Sequence, residues 1–525
     1  MNYRVVILCA GKGSRLGRRT IYLNKALLKV GDKAVISHTI DSFPKEIEFV
    51  IALGYQGDIV RQYLKIIYPE RRFIFVGVDK FEGVGSGPGY SLTCCKKELQ
   101  CPFYYVSCDA IINWKYVFHN KMNWAAWCDI DKSEIKNFCT LDIKNDWGDY
   151  TVTGFYNKSE KGTTNAFTGV AFINDYQIFW DKMSLEKISE EGEIQVAPVI
   201  LSISNISALP VDWWDVGSEE GLRSARGWFD GFQNLDKVDE EIYFVNGCVI
   251  KYFYNESMVR GRIERLKHFG TAAPKLLGNT KNFYKYEFIQ GNDLFLIKNQ
   301  DEIIESLLKY CKGNLWKDVV LDEQNVAIFR SACRRFYQQK TSARVDKYFD
   351  KTETYDREHI INNEFIPRIK AIFDLMDWNW LSNGIPSNFH GDLALGNILL
   401  SGGDFKFIDW RQDFSGLIDY GDRYYDFAKL YASFMFPLPS VRNKKFVISV
   451  QEQSVEVNIE VSQSIQKAKQ IFEKWIINEG YDLRKIKILT GIVLLNMSPL
   501  HETPLDKYLF YFAKKYLYNM INEAQ

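Results

Sequence analysis

Residues 389–400 read FHGDLALGNILL, and residues 405–410 read FKFIDW. The apolar runs predict short strands, with Asp392 and Asn397 in the loop before one strand and Asp409 at the end of the next. Phosphoryl transfer needs such a set, because one carboxylate can orient or deprotonate a hydroxyl while amide and carboxylate oxygens hold Mg²⁺. A hairpin whose Asp and Asn residues only form turns is the alternative. The order of the three groups favours the first interpretation.

Composition limits the class of protein. A chain of 525 residues is too long for one hydrophobic core, so two or more domains are expected. Basic and acidic residues are equal at 66 each, which gives no overall field for nucleic acid or an anionic membrane. The ten cysteines show no C-x-x-C spacing, which favours free thiols in a reducing compartment. Without a signal-peptide pattern or an apolar run of about 20 residues, we expect a soluble cytoplasmic enzyme with no membrane span.

A glycine-rich turn follows the first apolar strand. Residues 10–16 read AGKGSRL, so the backbone N–H groups of Gly11, Gly13 and Ser14 can approach phosphates, and Arg15 adds positive charge. Lys25 follows nine residues after the turn. The spacing matches neither the dinucleotide fingerprint nor the P-loop. The turn therefore predicts a phosphate site of another kind.

Strands and helices alternate through the first hundred residues. Apolar strands at 4–9, 49–55, 73–76 and 103–108, with helical patterns at 34–43 and 58–68, predict a parallel sheet covered on both faces. Residues 83–90 read GVGSGPGY, and Gly85 lies in what is either a base-binding segment or a flexible loop. Asp109 ends a strand, where ligands of such sheets gather, although a cap or turn role is equally open.

Several segments of the first half resemble sugar-1-phosphate nucleotidyltransferases such as glucose-1-phosphate thymidylyltransferase. They are the glycine turn, NKALLKVG at 24–31, TNAFTGVAFIND at 164–175 and VDWWDVGS at 211–218. The resemblance implies a GT-A-like (Rossmann-like) α/β domain in which the glycine turn and Gly85 bind a nucleoside triphosphate. It implies catalytic charges from Arg15 and Lys25 and magnesium ligation by Asp109 and Asp215. It implies substrate contacts from Lys158, Asn165, Thr168, Gly169 and Glu193. Asn24 replaces the usual proline before the lysine. The alternative is a set of ordinary strands and turns.

The stretch at 389–410 resembles the catalytic loop and metal motif of the aminoglycoside phosphotransferase and choline kinase superfamily. The resemblance implies a two-lobed protein-kinase-like α+β domain with ATP as phosphate donor and Asp392 as the catalytic carboxylate. It implies Asn397 and Asp409 as magnesium ligands. Asp413, Asp422 and Asp426 are candidate substrate contacts, and helix capping and helix-dipole effects explain a carboxylate-rich helix start as well.

A hairpin pattern around Asn-Gly at residues 242–253 begins the expected N-terminal lobe. Lys251 would pair with the nucleotide phosphates, with Glu264 or Glu256 as its partner, although a strand lysine is usually only solvated. Main-chain groups near Glu287 and Ile289 would bind adenine. The predicted domains are 1–230 and 231–525, the second with lobes at about 240–295 and 296–525. Residues 300–377 are expected to be mainly helical and 446–461 two-stranded.

Both halves together predict a bifunctional enzyme. A kinase would phosphorylate a small sugar or sugar-like alcohol, and a nucleotidyltransferase would activate the product with a second nucleotide, CTP or UTP/dTTP, for surface polysaccharide synthesis (capsule or lipopolysaccharide). The first alternative is a choline kinase joined to a CTP:phosphocholine cytidylyltransferase. The second is an aminoglycoside-type phosphotransferase with a regulatory N-terminal domain. A non-catalytic scaffold would lack the metal carboxylates, which are present. The expected partners are small molecules without nucleic acid, and a homo-oligomer stays open.

Overall fold

The computed structural model describes residues 3–114, 121–158, 161–189, 192–229, 231 and 237–523. Contacts divide the chain into two compact units. The first comprises Met1–Glu256 and Leu276–Glu287, and the second comprises Ser257–Lys275 and Phe288–Gln525. Residues 230 and 232–236, at the predicted boundary between the domains, lie outside the described residues.

Among the described residues, the first unit contains the strands of a large sheet, of a four-stranded sheet and of two two-stranded pairs, β2 with β3 and β7 with β13. The strands are β1 Arg4–Cys9, β2 Lys29–Val30, β3 Lys33–Ala34, β4 Glu48–Leu53, β5 Arg72–Gly77, β6 Phe103–Ser107, β7 Ala110–Ile112, β8 Trp124–Asp129, β9 Thr140–Asp146, β10 Asp149–Tyr156, β11 Asn165–Ile173, β12 Ser207–Pro210, β13 Trp213–Asp215, β14 Glu240–Val245, β15 Cys248–Phe253, β16 Leu276–Asn279 and β17 Phe283–Glu287. The helices are α1 Val35–Ile40, α2 Gly57–Ile67, α3 Pro88–Cys94, α4 Tyr176–Met183, α5 Ala197–Leu201 and α6 Glu219–Trp228.

The large sheet has the order β5-β4-β1-β6-β11-β8-β12-β10-β9 within the described residues. Its first four strands are parallel, with Val6 of β1 level with Val50 of β4 and Tyr105 of β6. The parallel sheet that the sequence predicts for the first hundred residues is therefore confirmed. From β11 onward, beyond the strands of that prediction, the pairing is mostly antiparallel. The antiparallel part is joined by β-hairpin connections such as β9–β10, which need no crossover helix.

Both faces of the sheet are buried, as the sequence predicts. Val5 and Ile7 of β1 belong to one apolar core, while Val6 and Leu8 belong to the other. Successive residues of a strand point to opposite faces, so a continuous apolar run is needed where both faces are covered. This arrangement brings the carboxyl ends of β1 and β6 to one edge, where the first candidate site lies.

A second sheet, β14-β15-β17-β16, belongs by its contacts to the first unit. Tyr243 of β14 is fully buried and donates a hydrogen bond to the carbonyl of Leu27 at 2.6 Å. Tyr252 and Phe283 join the same core. The predicted boundary at residues 230 and 231 therefore differs from the division by contacts, because apolar side chains of the hairpin pack on the first unit.

The second unit is mainly helical. Its helices are α7 Glu256–Arg265, which begins at the last residue of the first unit, α8 Gln300–Asn314, α9 Glu323–Arg334, α10 Lys340–Thr352, α11 Ile369–Asp374, α12 Trp378–Ser382, α13 Arg423–Met435, α14 Leu438–Arg442, α15 Gln463–Asn478, α16 Leu483–Met497 and α17 Leu505–Asn522. Its strands are β18 Asn292–Asp293, β19 His359–Ile361, β20 Glu364–Ile366, β21 Pro386–Ser387, β22 Ile398–Ser401, β23 Asp404–Phe407, β24 Gly421–Asp422, β25 Phe446–Gln451 and β26 Ser454–Ile459.

Two small sheets of this unit bear on the predictions. The catalytic-loop hairpin β22–β23 forms a sheet with β18, which confirms the predicted pair of short strands. The two-stranded insertion is also confirmed as β25 and β26. Its strand β26 pairs with β19, which in turn pairs with β20. These two short strands interrupt the stretch 300–377, which is otherwise mainly helical as predicted. No helix among the described residues is long and apolar enough to cross a bilayer.

Candidate active sites

The first site centres on an ion pair at the carboxyl edge of the large sheet. Lys25 Nζ lies 2.6 Å from Asp109 Oδ2, and Ser107 Oγ donates to the other carboxylate oxygen. Burial alone would raise the pKa of Asp109, but the Lys25 ammonium and these hydrogen bonds hold it well below its usual range. Burial would lower the pKa of Lys25, yet the negative charge of Asp109 raises it above its ordinary value. Both groups are therefore charged at neutral pH.

Asp215 joins this pair through strand β13. The strand runs antiparallel to β7, with Asp215 level with Ala110. Asp109 lies in the turn directly before β7 and its carbonyl accepts a hydrogen bond from Val216 N at 2.9 Å, so the two carboxylates are neighbours. A Cβ built at Gly217 would lie 2.9 Å from Asp109 Oδ2, 3.0 Å from Arg15 Nη2 and 3.2 Å from Asp215 Oδ1. Burial, with the nearby charge of Asp109, raises the pKa of Asp215 to about 6. Two carboxylates and a guanidinium thus converge on one glycine.

The glycine turn lies beside these charges. Gly13 has φ of 68°, a left-handed conformation that favours glycine, and its built Cβ would lie 3.2 Å from Lys25 Cβ. A 3₁₀ helix, Ser14–Thr20, follows it. A Cβ at Gly11 would meet no atom within 4 Å, so this backbone borders open space. The turn leaves room for a phosphate-bearing ligand.

Asn24 holds the turn before Lys25 in place, a role that the sequence did not indicate. It is fully buried, and its amide donates to the carbonyls of Cys9 and Tyr55 at 2.8 and 2.7 Å. Its side-chain oxygen accepts from Ala26 N at 2.9 Å and caps the 3₁₀ turn Lys25–Leu27. An amide thus fixes the position of Lys25 where the family has a proline.

Strand β11 carries the predicted sugar-binding residues. A Cβ at Gly169, where φ is 77°, would lie 2.9 Å from Ser107 Cβ, which places this glycine next to the Asp109 site. Asn165 and Thr168 donate to the carbonyls of Leu141 and Ala126 at 3.2 and 3.3 Å. Lys158 is exposed after β10. Within the described residues, Gly169 is thus the member of this group that lies next to the Asp109 site.

The segment around Glu193 pairs with the second glycine-rich loop. Gly85 N donates to Gly192 O at 2.7 Å, and Ile194 N donates to Ser86 O at 2.8 Å. Glu193 also accepts a hydrogen bond from Gln195 at 3.1 Å. The loop at Gly85 is thus an ordered edge beside Glu193, and the two predicted contacts lie together.

The second site is the loop at Asp392. Lys429 Nζ of α13 lies 2.6 Å from Asp392 Oδ1. Burial would raise the pKa of Asp392, but the charge of Lys429 lowers it to about 2. Asn397 Nδ2 donates to the Asp392 carbonyl at 2.8 Å and to Oδ2 at 3.3 Å, which leaves the amide oxygen of Asn397 for a cation. A carboxylate this acidic orients a hydroxyl better than it deprotonates one.

Asp409 follows strand β23 with φ of 61°, a left-handed conformation that is uncommon for residues other than glycine and clusters at functional sites. Arg262 Nη1 lies 3.9 Å from its carboxylate. Ile408 N donates to Asn397 O at 3.0 Å, so the two predicted magnesium ligands belong to one hydrogen-bonded hairpin.

Asp426 and Arg265 hold the catalytic loop in place through hydrogen bonds to its backbone. Asp426 is fully buried and accepts from His390 N at 2.6 Å, Gly391 N at 2.7 Å and Trp316 Nε1 at 3.1 Å. The Arg265 guanidinium donates to the carbonyls of Phe389 and Arg411. The sequence offered a capping role for Asp426, and no local pattern indicated Arg265.

The other predicted residues of the kinase half are more dispersed. Asp413 accepts from Gly416 N at 2.8 Å in a turn. Lys251 is buried on β15 with its ammonium 5.9 Å from the centroid of Tyr286. Glu264 is exposed on α7, Glu287 ends β17, and Ile289 follows as the chain enters the second unit. Their nucleotide roles stay predictions.

Known proteins resemble the two halves separately. Residues 5–112 match the MobA-like NTP transferase domain, and residues 321–448 match the phosphotransferase enzyme family. These matches confirm the predicted resemblances and the predicted fold class of a nucleotidyltransferase domain followed by a kinase-like domain. The chain is therefore a transferase enzyme with two transferase domains.

Individual relatives cover the first half. The bifunctional protein GlmU of Methanococcus aeolicus is 24% identical over 235 residues, which are 42% of this chain and 53% of that protein. The chain spans about half the length of the three GlmU proteins that it matches. A solved UDP-glucose pyrophosphorylase complexed with UDP-glucose is 17% identical, covers 43% of this chain and 98% of its own, and has a TM-score of 0.39. The CTP:phosphocholine cytidylyltransferase from Streptococcus pneumoniae is 22% identical, with coverages of 43% and 99% and a TM-score of 0.34.

Proposed function

We propose that the protein phosphorylates a small sugar or sugar-like alcohol with ATP and then transfers a nucleotidyl group to the product. The observation that carries this proposal is the presence of two charged sites in one chain. Each has a carboxylate paired at 2.6 Å with a lysine, Asp392 with Lys429 and Asp109 with Lys25. Phosphoryl and nucleotidyl transfers are governed by positioning and charge, which such sites provide.

In the first reaction, Asp392 orients the acceptor hydroxyl, whose oxygen attacks the γ-phosphorus of ATP. The new oxygen–phosphorus bond forms as the bond from the γ-phosphorus to the bridging oxygen breaks, and ADP leaves. The hydroxyl proton passes late to Asp392 and then to water, because a loose transition state requires little base strength. The low pKa of Asp392, about 2, suits this role.

In the second reaction, a phosphate oxygen of the product attacks the α-phosphorus of a second nucleotide, and pyrophosphate leaves. Lys25 and Arg15 stabilise the negative charge that develops on the phosphate oxygens. The nucleophile is already anionic, so no protein base is required. The glycine turn and the Gly85 loop would hold the nucleotide, and Gly169 and Glu193 would border the sugar.

Magnesium fits both donor sets. Among the residues that the structure describes, no group of three or more His, Cys, Asp or Glu side chains forms a metal site. Mg²⁺ is commonly held by one or two protein oxygens together with phosphate and water oxygens. Asp109 with Asp215, and Asn397 with Asp409, would hold it in this way. When bound, Mg²⁺ would neutralise charge on the nucleotide phosphates.

The product would be an NDP-linked building block, made in the cytoplasm where ATP is available and used in surface polysaccharide synthesis. We favour CTP or UTP/dTTP as the second nucleotide. The second candidate, a choline kinase joined to a phosphocholine cytidylyltransferase, requires a site for a quaternary ammonium group. Positive charge near Asp392, such as that of Lys429, would repel a quaternary ammonium group, which disfavours this second candidate.

A substrate panel tests the proposal. Each acceptor is incubated with ATP, Mg²⁺ and one of the four NTPs, and the products are read by mass spectrometry. The panel comprises hexoses, heptoses and amino sugars, the acid and phosphate derivatives of these sugars, and choline. We expect one acceptor to gain first a phosphate and then a nucleotidyl group. ATP consumption without an NDP-linked product from any NTP would contradict the two-step scheme, and strong turnover of choline would favour the second candidate.

A further inference from the structure

One long helix of the second unit changes its winding next to the catalytic loop. Helix α9 continues through a π-helical turn, Arg335–Gln339, into α10. π-helical turns are rare and are frequent at functional sites. The turn carries Phe336, and Lys340 and Arg344 follow at intervals of four residues. Residues four apart share one face of an α-helix, and the π turn shifts that face locally. The helix thus presents an aromatic ring and two cations close together.

Arg411 brings a third cation to this face from the catalytic hairpin. Lys340 Nζ lies 4.0 Å and Arg411 Cζ 5.0 Å from the ring centroid of Phe336. Arg411 N donates to His390 O at 2.9 Å, and a Cβ built at Gly391 would lie 2.6 Å from Arg411 Cβ. Since Gly391 precedes Asp392, these cations adjoin the residue that would orient the acceptor.

The cluster has more positive than negative charge. Lys429 is already paired with Asp392. Within the described part of the chain, the side chains of Lys340, Arg344 and Arg411 have no ion pair with a carboxylate, and the buried Nε of Arg411 has no hydrogen-bond partner. Burial and the charges of its neighbours lower the pKa of Lys340 to about 6, so at neutral pH Lys340 becomes fully charged only when an anion is bound, while Arg344 and Arg411 are charged throughout. Uncompensated cations at one place are costly unless a ligand neutralises them.

We propose that the phosphoryl acceptor carries an anionic group, a carboxylate or a phosphate, and that Lys340, Arg344 and Arg411 bind this group while its hydroxyl faces Asp392. The inference rests on the proposed phosphoryl transfer and specifies the class of its acceptor. Guanidinium groups match the paired oxygens of carboxylate and phosphate. A cationic acceptor such as choline or an aminoglycoside would be repelled by the same cluster.

Matched acceptors test the inference on the full-length protein. Glycerol, glycerate and glycerol phosphate form one series, and glucose, gluconate and glucose 6-phosphate form another. ADP release with Mg²⁺ and ATP gives kcat and KM for each. We expect the anionic members to be preferred, and the better of the two anions identifies whether carboxylate or phosphate is bound. Binding of glycerate and glycerol phosphate is also measured by calorimetry, independently of turnover.

Variants assign the effect to the cluster. Arg344→Gln should weaken binding of the preferred anion by about 10- to 100-fold, as expected for loss of a charged hydrogen bond. It should leave the KM for ATP unchanged. Lys347→Gln removes a charge from an exposed position of the same helix and should change neither value. Lys340→Gln replaces Arg344→Gln if the latter does not fold, as judged by circular dichroism.

Each result of these experiments supports or overturns the inference. Preference for neutral or cationic acceptors would overturn the inference, as would an Arg344→Gln effect on the KM for ATP alone, because the cations would then serve the donor phosphates. If no acceptor is phosphorylated, the proposed function fails. The anion site then stands only if Arg344→Gln weakens the calorimetric binding, and it falls if neither anion binds to the unmodified protein.

Discussion

Lys429 Nζ lies 2.6 Å from Asp392 Oδ1, so a helix beyond the catalytic hairpin holds the carboxylate that would orient the acceptor. Lys429→Met should lower kcat for phosphoryl transfer by about 10- to 100-fold, because Asp392 loses the charged contact that positions it. The KM for ATP should change little, and Lys429→Arg should retain part of the activity. Steady-state ADP release checks this prediction. An unchanged kcat in Lys429→Met would show that the ion pair has no part in the reaction.

Gly217 tests the nucleotidyltransferase site by steric means. Gly217→Ala would place a methyl group 2.9 Å from Asp109 Oδ2 and 3.0 Å from Arg15 Nη2, in the space where the charged groups converge. We expect nucleotidyl transfer from added phosphorylated acceptor to fall at least about 100-fold, since a small displacement of catalytic groups has effects of this size. Phosphoryl transfer should persist.

Gly227→Ala is the matched control for this change. A Cβ at Gly227, on helix α6, meets no atom within 4 Å. The control should keep both activities. Equal activity of the Gly217→Ala and Gly227→Ala proteins would remove Gly217 from the site.

Asp426 is expected to stabilise the catalytic loop. In Asp426→Asn, an amide nitrogen replaces one oxygen that accepts from His390 N or Gly391 N, and one backbone N–H then faces another donor. Leaving a buried donor unsatisfied costs about 1–3 kcal/mol. We predict a lower urea midpoint for the second unit and a lower kcat for phosphoryl transfer, with nucleotidyl transfer retained. The exposed Asp404→Asn serves as control, and equal midpoints for the two variants would refute the prediction.

Because of Lys340, we expect the KM for an anionic acceptor to rise with pH. Burial first, and then the charges of Arg411, Arg344 and Lys429 against that of Asp392, lower its pKa to about 6 in the free protein. A bound carboxylate would raise this pKa, so a proton is taken up on binding. Above pH 6 the KM for a carboxylate acceptor should therefore rise, by at most about tenfold per pH unit.

The acceptor's own carboxylate stays ionised in this range, since its pKa is about 4. Lys340→Gln should abolish the slope that Lys340 contributes. A KM that is flat or falls with pH in the unmodified protein, measured by initial rates between pH 6 and pH 8, would contradict this account of Lys340.

Much of the site can be predicted from the sequence where the functional groups are close together in the chain. Asp392, Asn397 and Asp409 are recognisable because one hairpin carries them. The pairing of Lys25 with Asp109 spans 84 residues and could be inferred only from a family resemblance. Lys429 lies within a helix whose local pattern indicates only packing, so nothing in the sequence pointed to it.

Other features were hidden for different physical reasons. The π turn at Phe336 has the same apolar pattern as an ordinary helix, so its extra residue per turn is not visible in the sequence. Strands β19 and β20 have three residues each and are too short to show alternation. The packing of the 240–287 sheet on the first unit depends on tertiary contacts of Tyr243, Tyr252 and Phe283.

The central claim is that the product of the Asp392 site is the substrate of the Asp109 site, and complementation tests it most directly. Asp392→Ala and Asp109→Ala proteins are incubated separately and together with free acceptor, ATP, the second NTP and Mg²⁺, and the NDP-linked product is quantified by mass spectrometry. We predict no product from Asp392→Ala, accumulation of phosphorylated acceptor with Asp109→Ala, and restored NDP-linked product in the mixture. A mixture that accumulates phosphorylated acceptor without converting it would contradict the claim.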